Sequence, residues 1–139
     1  MGAMAMKLLL AAFLVAHALI HASYLGPAPP KTAGGPEWPF EMANSWLVTS
    51  IGLDPALVRA LGTALIVVTV ALLAGAALAT LGVLVPAAWW PSLVVGGVAA
   101  SVLTLAVFFH PWILLGFAID AALLWAVLVA GWLPDSAVR

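Results

Sequence analysis

The chain has no cysteine among its 139 residues and only one tyrosine. The lack of cysteine excludes disulfides, thiolate metal sites, cysteine redox chemistry and S-palmitoylation. Charge is nearly as scarce. Four Lys and Arg and five Asp and Glu make up 6% of the residues, where a soluble domain carries about a quarter. A water-facing surface cannot be built from so few charges, so lipid must be the solvent for most of the chain. A net charge of −1 supplies no basic field, and nucleic acid is not an expected partner.

What is abundant is apolar sequence, 66% of the chain. It falls into four runs, expected to span a bilayer at about 6–25, 59–85, 92–109 and 112–133, with a loop at 26–58. The expected fold is therefore all-α: a single membrane domain over 1–139, built as an up-down four-helix transmembrane bundle. The first run starts at Lys7, as a signal peptide would. It is longer than a signal core and two histidines interrupt it, so it reads as a retained helix.

Pro and Gly make 26–36 irregular. After it, Phe40, Ala43, Trp46, Leu47 and Ile51 recur at helical spacing, with Glu41, Asn44, Ser45 and Thr49 mostly opposite. That pattern predicts a short amphipathic helix over 39–51, lying in the interface or folded over the bundle mouth; an ordinary loop with one helical turn is the alternative. Asp54 and Pro55 suit the N-cap and first position of the next helix, Arg59 its interfacial end, and Pro86 its stop. Trp89-Trp90-Pro91 reads as a turn carrying headgroup-level tryptophans. His110-Pro111 breaks the third run from the fourth. Trp38, Trp46, Trp112 and Trp132 are expected belt residues, and Trp125 a packing residue. Gly75 with Gly82, and Gly97 with Ser101, mark small-residue packing faces and possible contacts for a homo-oligomer or a membrane-protein partner. Few positive charges set the orientation: Lys7 and Arg139 on one side, Lys31 and Arg59 on the other. The signal-anchor-like start favours both termini in the cytoplasm.

Ionisable groups within a bilayer are costly, roughly 2.5–3.5 kcal/mol for Asp at a helix centre. Leu14, His17, His21 and Tyr24 share one face of the first helix by their spacing. His17 lies about 10–12 Å and His21 about 5–6 Å below the loop-side end marked by Tyr24. Asp120 is about 12 Å deep on the fourth helix, with Gly116 one turn above it leaving room over the carboxylate. Ser101 and Thr69 fall at similar depth. One polar layer could thus hold His17, Thr69, Ser101 and Asp120, with His21, His110, Tyr24 and Glu41 on the access side.

Three readings of this layer stay open. It could bind a divalent metal ion through His17 and His21, four residues apart on one face, with Asp120 or Glu41 adding a carboxylate; a metal-dependent enzyme acting on a lipid-soluble substrate would be one form of this. It could hold or conduct a proton, or bind a small polar ligand, through a His17–Asp120 pair. Or the pair could only set helix register in a structural or accessory subunit. Nothing resembles an activated nucleophile with its base and oxyanion donors.

Ala16-His17-Ala18-Leu19-Ile20-His21, together with Gly116, Asp120, Leu123 and Leu124, resembles a pattern in small bacterial membrane proteins of four helices whose activity is uncharacterised. Those proteins open with a His-Gly-Leu-Ile-His type sequence and carry a late Gly-x-x-x-Asn/Asp-x-x-Leu-Leu pattern. Here Ala18 stands in place of the Gly, and the long Pro-rich loop is a departure. The resemblance implies four spans and marks His17, His21, Gly116 and Asp120, but implies no activity.

Overall fold

The computed structural model describes residues 2–30, 33–35, 38 and 40–132. The tail at 134–139, the start of the amphipathic segment at Pro39, and the orientation markers Lys31 and Arg139 lie outside them. Among the described residues every regular element is a helix, and there is no strand. Helix α1 covers Ala3–Ser23, α2 Trp46–Thr49, α3 Pro55–Leu81, α4 Trp90–Val107 and α5 Leu114–Leu128. Among the described residues four helices are long and apolar enough to cross a membrane, with α1, α3, α4 and α5 as their cores. They run up and down, so that Tyr24, the loop, Arg59 and Trp112 share one end.

Local chemistry sets the helix ends. The Asp54 carboxylate accepts from Ala56 N at 2.7 Å and Pro55 opens α3, as the sequence predicts. At 27 residues, α3 is about 40 Å long, more than the roughly 30 Å of a hydrocarbon core, which leaves Arg59 near the interface. Its stop differs from expectation. Gly82, left-handed at φ 67°, terminates the helix four residues before Pro86 by the αL mechanism that glycine permits. Gly82 is therefore a cap and makes no packing contact.

Lipid tails are as apolar as leucine, so helix association in a bilayer rests on close packing and polar bonds rather than on the hydrophobic effect. The packing runs in sequence order: α1 on α3, α3 on α4, α4 on α5. Gly75 and Gly97 serve the α3–α4 contact. A Cβ on Gly97 would meet Leu73 Cδ2 at 2.9 Å, and one on Gly75 would meet Leu93 at 3.5 Å. These faces are occupied within the chain, which removes them as the expected contacts with a second copy. Leu14, Leu73, Ala76, Val94 and Val98 form the dry centre.

The loop packs over one end of this centre but not as one amphipathic helix. A 3-10 turn at Met42–Asn44 is followed by α2, and Ser45 breaks them apart. Ser45, expected on the wet side, is buried, while Ala43, Trp46 and Ile51 are exposed. The reason lies at the end of α4, whose last carbonyls lack helical partners. The Ser45 hydroxyl donates to Val107 O at 2.7 Å and Trp46 Nε1 donates to Ala106 O at 2.8 Å.

Two tryptophans exchange their expected places. Trp90 is 1% exposed, in the core, with Nε1 unpartnered, whereas Trp125 is 57% exposed on the outer face of α5. Helix α5 ends at Leu128 rather than near 133.

Candidate functional site

Three helices converge on one buried polar chain in the loop-side half. His17 and His21 come from α1, one turn apart. Ser101 comes from α4 and Asp120 from α5. All four are buried, Ser101 and Asp120 completely. His17 Nε2 lies 3.0 Å from Asp120 Oδ1. The Ser101 hydroxyl donates to Asp120 Oδ2 at 2.6 Å and lies 2.9 Å from His21 Nε2.

Counting protons assigns the tautomers. Ser101 has one hydroxyl hydrogen, and the short bond to Asp120 uses it. Ser101 Oγ must then accept from His21 Nε2–H. His21 Nδ1 is left as a bare lone pair, and it is buried with no hydrogen-bond partner. His17 likewise donates through Nε2 to the carboxylate. The order is His21 to Ser101 to Asp120, with His17 closing the other carboxylate oxygen.

Below His17, the buried Leu14, Ala11, Leu73 and Ala76 carry no polar group. The chain of bonds therefore stops at the His17–Asp120 end. Above it, His17 and His21 stand edge to face, and His21 stands edge to face with Tyr24. Tyr24 stacks flat on Phe40. These two rings form a shared wall. On one side is a cavity of about 270 Å³ at the loop mouth, reached by Glu41, Arg59 and Thr63. On the other is a cavity of about 200 Å³ lined by His17 and His21. Burial pushes the Tyr24 phenol up to about 12, and the Asp120 charge adds to the rise.

The second cavity belongs to a cleft between α1 and α5, which do not pack along their length. The His17–Asp120 bond crosses this gap.

The sequence-predicted set is thus brought together in part. His17, His21, Ser101 and Asp120 meet, and Tyr24 stands next to His21 at the loop end of α1. Thr69 does not join, because its hydroxyl donates to Leu65 O of its own helix. Glu41 is exposed and paired with Asn44 Nδ2 at 3.4 Å, outside the cavity that His17 and His21 line. His110 caps the turn at Pro111–Ile113, its Nδ1 accepting from Trp112 N, and lines a separate small cavity with Trp38 and Glu41. Gly116 lines the cavity beside His17 and His21 and also gives room to Leu105, whose Cδ1 would lie 2.9 Å from an added Cβ. The metal set is not assembled either: among the described residues no three His, Asp or Glu groups come together to hold an ion. Both Nε2 atoms that would coordinate are directed to Asp120 and Ser101.

Sequence reasoning missed the roles of Phe40, Ser45 and Trp46. The only sequence signal was the bare C-terminal carbonyls of α4, which require donors from somewhere. Comparison of the chain with protein families, with curated proteins and with solved structures finds no match.

Proposed function

We propose that this protein binds and exchanges a proton from one side of a membrane, through His21, Ser101, Asp120 and His17. The observation that carries this reading is the unbroken, fully buried run of hydrogen bonds from His21 to the Asp120 carboxylate. A proton added at His21 Nδ1 releases the Nε2 proton to Ser101 Oγ as the Ser101 proton moves to Asp120 Oδ2. One proton enters, the carboxylate becomes neutral, and His21 is left as the other neutral tautomer. The apolar layer beneath His17 favours one-sided exchange over conduction across the bilayer. We place the chain in a bacterial inner membrane with both termini in the cytoplasm and the lipid bilayer as its main partner. Because the chain has no native cysteine, single-cysteine labelling from each side checks the orientation directly.

Infrared difference spectra of proteoliposomes stepped across about pH 5–8, where histidine chemistry operates, test the reading. Imidazole and carboxyl bands should change together. Asp120→Asn should remove the carboxyl band, and Ser101→Ala should separate the His21 change from it. Spectra without any such pH-driven change would leave the relay without a function.

One observation favours a second reading. The His17–Asp120 bond joins two helices that otherwise lie apart, as a structural tie in an accessory subunit would. Such a subunit should copurify with a stable partner and show no proton-linked spectral change.

A further inference from the structure

The relay leaves open what meets His21 Nδ1. This atom is a buried acceptor with no donor, and leaving such a group unmatched is costly. His21 also lines the cavity between α1 and α5, whose other walls are largely apolar. Four of the lining side chains are aromatic: Tyr24, Trp38, Phe40 and Trp112. Ile20 and Leu115 line it too and are 49% and 71% exposed, so it opens sideways, toward the acyl chains of a bilayer. A second, almost wholly apolar cavity of about 280 Å³ follows along the same two helices past Phe13 and Trp125, and Ile119 borders both.

Size, wall chemistry and the bare acceptor together define an occupant. An apolar cavity of about 150 Å³ holds benzene, so about 200 Å³ suits one substituted ring. Aromatic walls favour an aromatic ring by offset stacking and edge contacts. The low-dielectric surroundings disfavour a charged group, and Nδ1 requires a hydrogen-bond donor. The apolar groove below suits a hydrocarbon chain.

We propose that the α1–α5 cleft binds a lipid-soluble phenol carrying an apolar chain, with its hydroxyl donating to His21 Nδ1. The ring occupies the upper cavity and the chain lies along Phe13, Ile119 and Trp125. Nδ1 is covered in the unliganded protein, so the hydroxyl reaches it as the Tyr24 ring, edge-on with centroids 5.3 Å from His21, gives way. The assignment rests on the relay reading only in taking His21 Nε2–H as the donor to Ser101.

The test is nitrogen NMR of the histidine-labelled full chain in detergent, titrated with para-nonylphenol. Its methyl ether, para-nonylanisole, has the same ring and chain without the donor. Saturable binding should shift the His21 Nδ1 resonance, and the ether should bind at least about tenfold more weakly. Ile119→Trp fills the groove while leaving the four relay residues in place, and should weaken the phenol by a similar factor. Equal affinities for phenol and ether, an unmoved Nδ1 resonance, or wild-type binding by a folded Ile119→Trp protein would each overturn the proposal. Should that variant not fold, the phenol–ether comparison on the native chain decides alone. Failure of the relay is separable, since it would abolish the pH-driven infrared change while phenol binding persisted.

Discussion

Ser101 donates its hydroxyl hydrogen to Asp120 Oδ2 across 2.6 Å, and this one bond dictates the direction of the bond between His21 and Ser101. With that hydrogen committed, His21 can only donate to Ser101, and its second nitrogen is left bare. Ser101→Ala should strand both the carboxylate oxygen and the His21 N–H. The expected loss is about 1–2 kcal/mol, since unmatched buried groups cost about 1–3 kcal/mol but interhelical bonds in membranes contribute less on average. Reversible unfolding in mixed micelles measures it. Ser101→Thr, which keeps the hydroxyl, should recover most of the loss if the added methyl is accommodated.

The His17–Asp120 pair predicts strong non-additivity. His17→Leu leaves a buried carboxylate short of a donor, and Asp120→Leu leaves a buried imidazole short of an acceptor. Each should cost about 1–3 kcal/mol. The double variant removes both polar groups and should cost less than the two losses combined, by at least about 1 kcal/mol. Additive losses in a double-mutant cycle would mean that the two side chains are not coupled.

The α3–α4 contact separates two glycines that look alike in sequence. Gly97→Ala forces its Cβ to 2.9 Å from Leu73 Cδ2 and 3.3 Å from Leu72 Cβ, so a side chain and its neighbour's stem must both shift. Overpacking of about 1–3 kcal/mol should outweigh the helix-propensity gain of about 1 kcal/mol. Gly75→Ala meets only ordinary contacts at 3.5 Å and should be neutral or slightly stabilising. Thermal denaturation of the two variants side by side should give opposite or clearly unequal shifts.

Tyr24 is the only tyrosine, so its ionisation can be read directly by ultraviolet absorbance. Burial raises the phenol from 10.0 to about 12 in the folded protein. A raised phenol favours the neutral form when folded. Its contribution to stability is complete below pH 10.0 and is lost as pH climbs toward about 12. Phe40→Ala, which removes the stacked ring, should bring the absorbance midpoint down toward 10.0. An unchanged midpoint would mean that Phe40 does not shield the phenol.

Much of this architecture is legible without coordinates. A deficit of charge forces lipid as the solvent, run lengths set four spans, and Asp54-Pro55 starts α3 because capping is local chemistry. Depth along a helix follows from its rise per residue, which is why His17, His21, Ser101 and Asp120 could be placed in one layer. Rotation about each helix axis does not follow from depth. In an apolar helix nearly every face is hydrophobic, so pattern cannot say which way Thr69, Trp90 or Trp125 points. Thr69 satisfies itself on its own backbone, Trp90 turns inward and Trp125 outward, all by packing. The gap between α1 and α5, the seating of Ser45 and Trp46 on the end of α4, and the bare nitrogen of His21 were likewise settled only by tertiary structure. Each depends on which groups from distant segments arrive within bonding distance, and local sequence carries no record of that.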